Sequence, residues 1–244
     1  MSDNQFPTGS GRSTAIQIPA EEAARIQAQF FARVYGWMAA GLSLTGGVAL
    51  FAASSATVRD FVFGTPFVFL GLIIAELLIV GFMTARAAQW SRTEVQAAFI
   101  AYALLNGVTL SVIFLRYTAD SIASTFFVSG ATFAVMSVYG YYTKSDLTGW
   151  GKLLSMALIG LVIAMVVNIF IGSTLLATAT SAIGVLLFTA LTAYDTQKLK
   201  SVAFTGVTDG EEASDKASIL GALTLYLDFI NLFLFLLRFF GRRR

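Results

Sequence analysis

The chain has 244 residues, of which 57% are hydrophobic and only 12% charged, with a mean hydropathy of +0.75. A soluble globular domain carries about 25% charged residues, so this composition excludes one and specifies an integral membrane protein. There is no cysteine and no histidine, which excludes disulfides, thiol nucleophiles, thiolate metal sites, the usual zinc ligand and the usual physiological-pH switch.

Any proton chemistry therefore rests on Asp, Glu, Lys, Arg or Tyr. The net charge of +2 says little, because charge position outweighs charge sum in a membrane protein. No nucleic-acid partner is expected.

Residues 1–28 are polar and read as a flexible cytosolic tail, with residues 9–14 as a glycine-rich linker. They lack the basic start and apolar core of a signal peptide. A short amphipathic helix is expected to start near Pro19, with Glu21 and Glu22 in its first turn. Ile26, Phe30 and Val34 share its face, which predicts a helix lying on the membrane surface.

Residues 29–244 then read as a seven-helix transmembrane domain. Apolar blocks cover residues 34–53, 67–85, 97–115, 122–142, 153–171, 179–199 and 217–240. Each has the length of a spanning helix, and continuous apolarity of this kind is helical rather than β-barrel. The fold class expected is an all-α membrane bundle. Gly36/Ala40 and Ser43/Gly47 offer small surfaces for close helix packing.

Cations set the orientation. Arg12, Arg25, Arg33, Arg86, Arg92, Lys144, Lys152, Lys198, Lys200 and Lys216 fall on the N-terminal side, against Arg59 and Arg116 on the other. The positive-inside rule puts the N-terminus in the cytoplasm. Seven spans place the C-terminus outside, yet Arg238, Arg242, Arg243 and Arg244 crowd that end. Either the earlier loops outvote the tail or the seventh span re-enters and returns.

Two spans carry an acid. Asp195 lies in the sixth, and Asp228 lies about 11 residues into the seventh, hence about 16 Å deep at 1.5 Å per residue. A carboxylate in the bilayer costs about 2.5–3.5 kcal/mol on insertion scales and is a functional-site hypothesis by default. Asp195 also admits a bland account as a helix-end acid near Lys198. Gly221, Thr224, Asp228 and Asn231 recur at steps of three and four and form one polar stripe. Ser181, Gly184, Thr192 and Asp195 repeat the pattern less tidily.

Such stripes face a bundle interior or a water-filled cavity. The two acids are thus free to face each other across antiparallel helices. Two close carboxylates do not both ionise easily and share a proton. Without it they offer hard oxygens to Ca²⁺, although Ca²⁺ takes six to eight, so a transient metal site at Asp195 and Asp228 is expected rather than a tight one. Glu76, in the middle of the second span, reads as functional or paired. Arg86 ends that span and either snorkels to headgroups or pairs with Asp195. Asn106, Tyr102, Thr109 and Asn168 read as interhelical hydrogen-bonding groups.

The stretches Tyr194-Asp195-Thr196-Gln197 and Leu225-Tyr226-Leu227-Asp228-Phe229-Ile230-Asn231-Leu232-Phe233, followed by Leu236-Leu237-Arg238, resemble the signatures of the Bax inhibitor (transmembrane Bax-inhibitor-motif) family, in its bacterial YccA/YbhL-like inner-membrane branch. The resemblance runs from about Tyr35 to the end. It implies a bundle with the last helix central and surrounded by the other six. It also implies a hydrogen-bonded Asp195–Asp228 pair gating a pH-sensitive Ca²⁺ leak, with Ca²⁺ as permeant ion and no cofactor. Glu76 matches the family's acid in the second span, and Arg86 matches its basic residue approximately. Thr192, Thr224 and Asn231 would stand beside the pathway or the pair.

Some bacterial members resemble regulators of a membrane-bound AAA protease, which makes such a protease a possible partner. A remote alternative is an intramembrane aspartyl protease. Tyr194-Asp195 fits its first motif, but the two glycines expected in Gly-x-Gly-Asp are Leu225 and Leu227 here, and no proline follows Pro66. The chain is therefore read as a non-enzyme.

Overall fold

The computed structural model describes residues 19–65, 67–205 and 209–244. Residues 1–18, most of the expected tail and all of its linker, lie outside the described residues. In chain order the helices are α1 (Ala20–Ser54), α2 (Ala56–Gly64), α3 (Val68–Arg86), α4 (Arg92–Arg116), α5 (Ala119–Tyr142), α6 (Trp150–Ile171), α7 (Thr174–Val202) and α8 (Glu211–Phe240). All but α2 are long and apolar enough to cross a membrane, giving seven spans in an all-α bundle. No strand is named among the described residues, and an isolated bridge joins Tyr117 to Arg243.

The residues read as a separate surface helix run into the first span without a break. Together they make one helix of 35 residues, about 52 Å long at 1.5 Å per residue, against a hydrocarbon core of roughly 30 Å. Phe30 and Val34, expected to face lipid, are fully buried in the protein. Their partners are protein because α1 packs against α4 and α8. Val34 lies against Gly221 of α8.

Short polar breaks end one helix and start the next. Ser55 caps α2, its hydroxyl accepting from Val58 N at 3.4 Å. Ser91 and Glu94 form a reciprocal capping box at the start of α4, which satisfies two backbone donors that a helix start leaves free. Gly172 ends α6 with φ of +68°, a left-handed conformation that glycine adopts without Cβ strain. Ser173 then caps α7.

α8 is the axis. It packs against α1, α4, α5 and α7, while α3 lies on α4 and α6 on α7. The expectation of six helices around a seventh is thus corrected: four form the wall and two stand outside it. The outer pair are almost wholly apolar helices with most side chains facing outward. Lipid is as good a neighbour as protein for such surfaces.

Close approach rather than hydrophobic exclusion holds helices together in lipid. A Cβ on Gly107 of α4 would lie 2.8 Å from the Thr45 carbonyl of α1, and one on Gly140 of α5 would strike the Ala193 carbonyl of α7. The pairs singled out for this role do not perform it. Gly36, Ala40, Ser43 and Gly47 are exposed on α1, and nothing approaches Gly36 or Gly47 within 4 Å.

α8 runs 30 residues without turning back, which removes the re-entrant alternative. Its C-terminal continuation meets the α4–α5 connection, at the opposite end of the bundle from the start of α1. There Thr118 N donates to Arg242 O at 3.1 Å and Arg244 N to Arg116 O at 3.0 Å.

Candidate functional site

α7 and α8 are antiparallel neighbours, and each carries its acid on the facing side. Asp228 is 4% exposed in the middle of α8. Asp195 on α7 is partly buried. The two carboxyl groups face each other closely enough to interact, and Lys198 lies three residues further along α7.

Oδ2 of Asp228 is buried and receives no hydrogen bond from any N–H or hydroxyl. A buried polar atom in that state is costly. An ionised carboxylate only accepts, whereas a protonated one also donates. Asp228 Oδ2 thus stands without a donor beside a second carboxyl group.

The groups expected around the pair turn back onto their own helices. Thr192 donates to Phe188 O at 2.8 Å, Thr224 to Leu220 O at 3.1 Å and Asn231 to Leu227 O at 2.8 Å. The Gly221/Thr224/Asp228/Asn231 stripe is on one face, but Asp228 alone of its polar side chains is buried; Thr224 and Asn231 are half-buried. Arg86 is exposed at the end of α3 and forms no salt bridge with Asp195. The cause is the topology: α3 lies on α4, away from α7.

Glu76 belongs to a second polar cluster. Its Oε1 accepts from Thr109 Oγ1 at 2.8 Å and its Oε2 from Asn106 Nδ2 at 3.2 Å. Asn106 Oδ1 accepts from Tyr226 OH at 2.9 Å. That hydroxyl also lies 2.7 Å from Thr45 Oγ1, which donates to Ala103 O at 2.9 Å. The cluster links α3, α4, α8 and α1. Tyr226 and Asp228 are two residues apart, about 200° around a helix, so α8 serves the two clusters from different faces.

Sequence reasoning placed Asn106 and Thr109 in interhelical bonds but missed Thr45 and the part played by Tyr226. A tyrosine beside the Asp signature gave a signal only as part of a motif.

The N-terminal end of α8 is fixed by charge, which the sequence did not reveal. Asp215 takes Arg33 of α1 and Arg92 of α4, each at 2.7 Å. Arg33 also donates to Ser214 at 3.0 Å. On the same end Gln197 grips the α5–α6 connection, donating to Ser145 O and accepting from Leu147 N, both at 2.8 Å.

Among the described residues there is no group of three or more acids that could hold a metal ion. Seven spans, the last of them central and carrying a buried acid, define a multi-pass α-helical membrane protein.

Residues 27–244 match the family profile described as inhibitor of apoptosis-promoting Bax1. The chain is 52% identical over 215 residues to the inner membrane protein YbhL of Escherichia coli, covering 88% of this chain and 92% of that one. It is 45% identical over 208 residues to an uncharacterized protein of Deinococcus radiodurans (85% and 88% covered). With an uncharacterized protein of Caulobacter vibrioides it shares 38% identity over 268 aligned positions, covering 99% of each. The protein belongs to the Bax inhibitor family.

Proposed function

We propose that this protein is a cation leak pathway of the bacterial inner membrane, with Ca²⁺ as the permeant ion, gated by the proton that Asp195 and Asp228 share. The supporting observation is the buried Oδ2 of Asp228, which lacks a donor and faces a second carboxyl group. With the proton in place, an O–H···O bond ties α7 to α8. Without it, two like charges stand in contact in a poorly solvated site and repel strongly. The same oxygens then attract a cation.

Two carboxyl groups offer four oxygens, fewer than the six to eight Ca²⁺ takes, so the ion passes instead of staying. Thr192, Thr224 and Asn231 support this reading because their hydrogen bonds stay within one helix. α7 and α8 can shift relative to each other without breaking them. The name of the Escherichia coli relative supports the location.

The test is Ca²⁺ entry into vesicles containing the purified protein, followed against pH. Wild type is expected to show pH-dependent entry, and the double variant Asp195→Asn, Asp228→Asn to lose that dependence. Identical entry and identical pH profiles in the two proteins would sink the proposal.

A further inference from the structure

The end of the bundle that carries the C-terminus holds arginines the leak pathway does not use. Arg238 lies in the last turn of α8, and Arg242, Arg243 and Arg244 follow Gly241. These residues are docked. Thr118 N donates to Arg242 O, Arg244 N to Arg116 O, and Arg242 N to Ser121 Oγ at 2.9 Å. Gly241 permits the approach, because a Cβ there would meet the Leu237 carbonyl and lie 2.7 Å from the Tyr117 ring.

The result is a short backbone ladder from which Arg116, Arg242, Arg243 and Arg244 project, all exposed and in no salt bridge among the described residues. Asp60 and Asp120 are the acids of this end.

A groove of about 300 Å³ begins at the foot of the ladder, between the start of α5 and the end of α8. Ser121, Ser124 and Thr125 supply its polar wall, and Val128, Leu236 and Phe240 its apolar one. Ser121 belongs to both features, lining the groove and accepting from Arg242 N. Val128 and Phe240 are 52% and 67% exposed, on the side where a bilayer would lie.

The geometry points to a binding site for an anionic phospholipid, with its phosphodiester on the Arg242–Arg244 ladder and an acyl chain in the α5–α8 groove. Guanidinium groups bind phosphate oxygens through paired, charge-assisted hydrogen bonds. A soluble anion would use the arginines but not the apolar wall. A zwitterionic lipid such as phosphatidylcholine brings the same phosphodiester together with a quaternary ammonium that the arginines repel. A phospholipid site also accounts for a cationic cluster on the end that the positive-inside rule leaves poor in cations.

The test uses the full chain in detergent, mixed with equal amounts of phosphatidylglycerol and phosphatidylcholine, with bound lipid counted by native mass spectrometry. Phosphatidylglycerol is expected to be retained in preference. Each of Arg242→Gln and Arg243→Gln is expected to weaken retention about fivefold. Ser124→Leu fills the groove with all charges intact and is expected to abolish the preference. Val128→Ser, which removes apolar wall, replaces it should Ser124→Leu fail to fold.

Glycerophosphoglycerol, the headgroup without chains, is expected not to displace the lipid. Equal retention of both lipids, undiminished retention in the arginine variants, undiminished retention in the groove variant that folds, or displacement by the free headgroup would each overturn the site.

Discussion

Tyr226 and Glu76 show how a polar side chain is made tolerable inside a membrane. Tyr226 is fully buried and its hydroxyl contacts Thr45 and Asn106. Tyr226→Phe removes both contacts and little volume. Interhelical hydrogen bonds in membranes are worth about 0.6 kcal/mol on average and up to about 1.7, so a loss of about 1 kcal/mol is expected in reversible unfolding in mixed micelles. Unchanged stability would show that the hydroxyl is idle.

Glu76 faces one fixed donor, Asn106 Nδ2, and one rotatable hydroxyl, Thr109 Oγ1, which also reaches Asn106 O at 3.0 Å. Glu76→Gln can therefore keep both partners: its oxygen accepts from Asn106 while Thr109 turns to accept from its amide. Near-wild-type stability is expected. Glu76→Leu leaves Asn106 without its acceptor and is expected to cost about 1–3 kcal/mol. The same unfolding assay separates the two, and equal stability of both variants would dismiss this account. The acids at 76 and 228 were legible from sequence because depth alone marks them, whereas Asp195, near the end of its helix, was marked by its motif. Which acid meets which partner was not, since that depends on how each helix is rotated.

At the scale of helices, seven spans were readable, because uninterrupted apolarity admits only one structure in lipid, but the first helix begins at Ala20 rather than near residue 34, since its polar first turns carry no such signal. Their faces were less readable. Gly36 and Gly47 have the spacing of packing residues, yet they lie exposed, whereas Gly107 and Gly140 sit where helices touch. Small size permits close packing from any side of a helix, and periodicity does not say which side has a neighbour.

This gives a paired test by thermal unfolding. Gly140→Val drives a side chain into the Ala193 carbonyl and is expected to cost at least about 1–3 kcal/mol, the usual penalty of overpacking. Gly36→Val meets open space and is expected to leave the melting temperature unchanged. Equal melting temperatures would refute the assigned faces. The clamp of Asp215 by Arg33 and Arg92 is not legible in the sequence for a related reason. Both cations count towards topology, and the partner they share lies in a remote part of the chain.

For the whole molecule, an odd number of spans puts the two ends of the bundle on opposite faces, with the run of arginines after α8 on the face away from the start of α1. The absence of cysteine makes this easy to check with single-cysteine variants. Glu22→Cys and Arg243→Cys, both at exposed positions, are expected to react with a membrane-impermeant maleimide from opposite sides of sealed vesicles. Labelling of both from one side would overturn the topology.

The position of α8 also bears on biosynthesis. The helix that touches α1, α4, α5 and α7 is made after all of them, since chains emerge and fold from the N-terminus. While the ribosome completes the other six spans, the slot for α8 stays open and lipid or water must occupy it. Assembly is thus a late insertion into a waiting cradle, and a nascent chain stalled before residue 211 has walls with no axis.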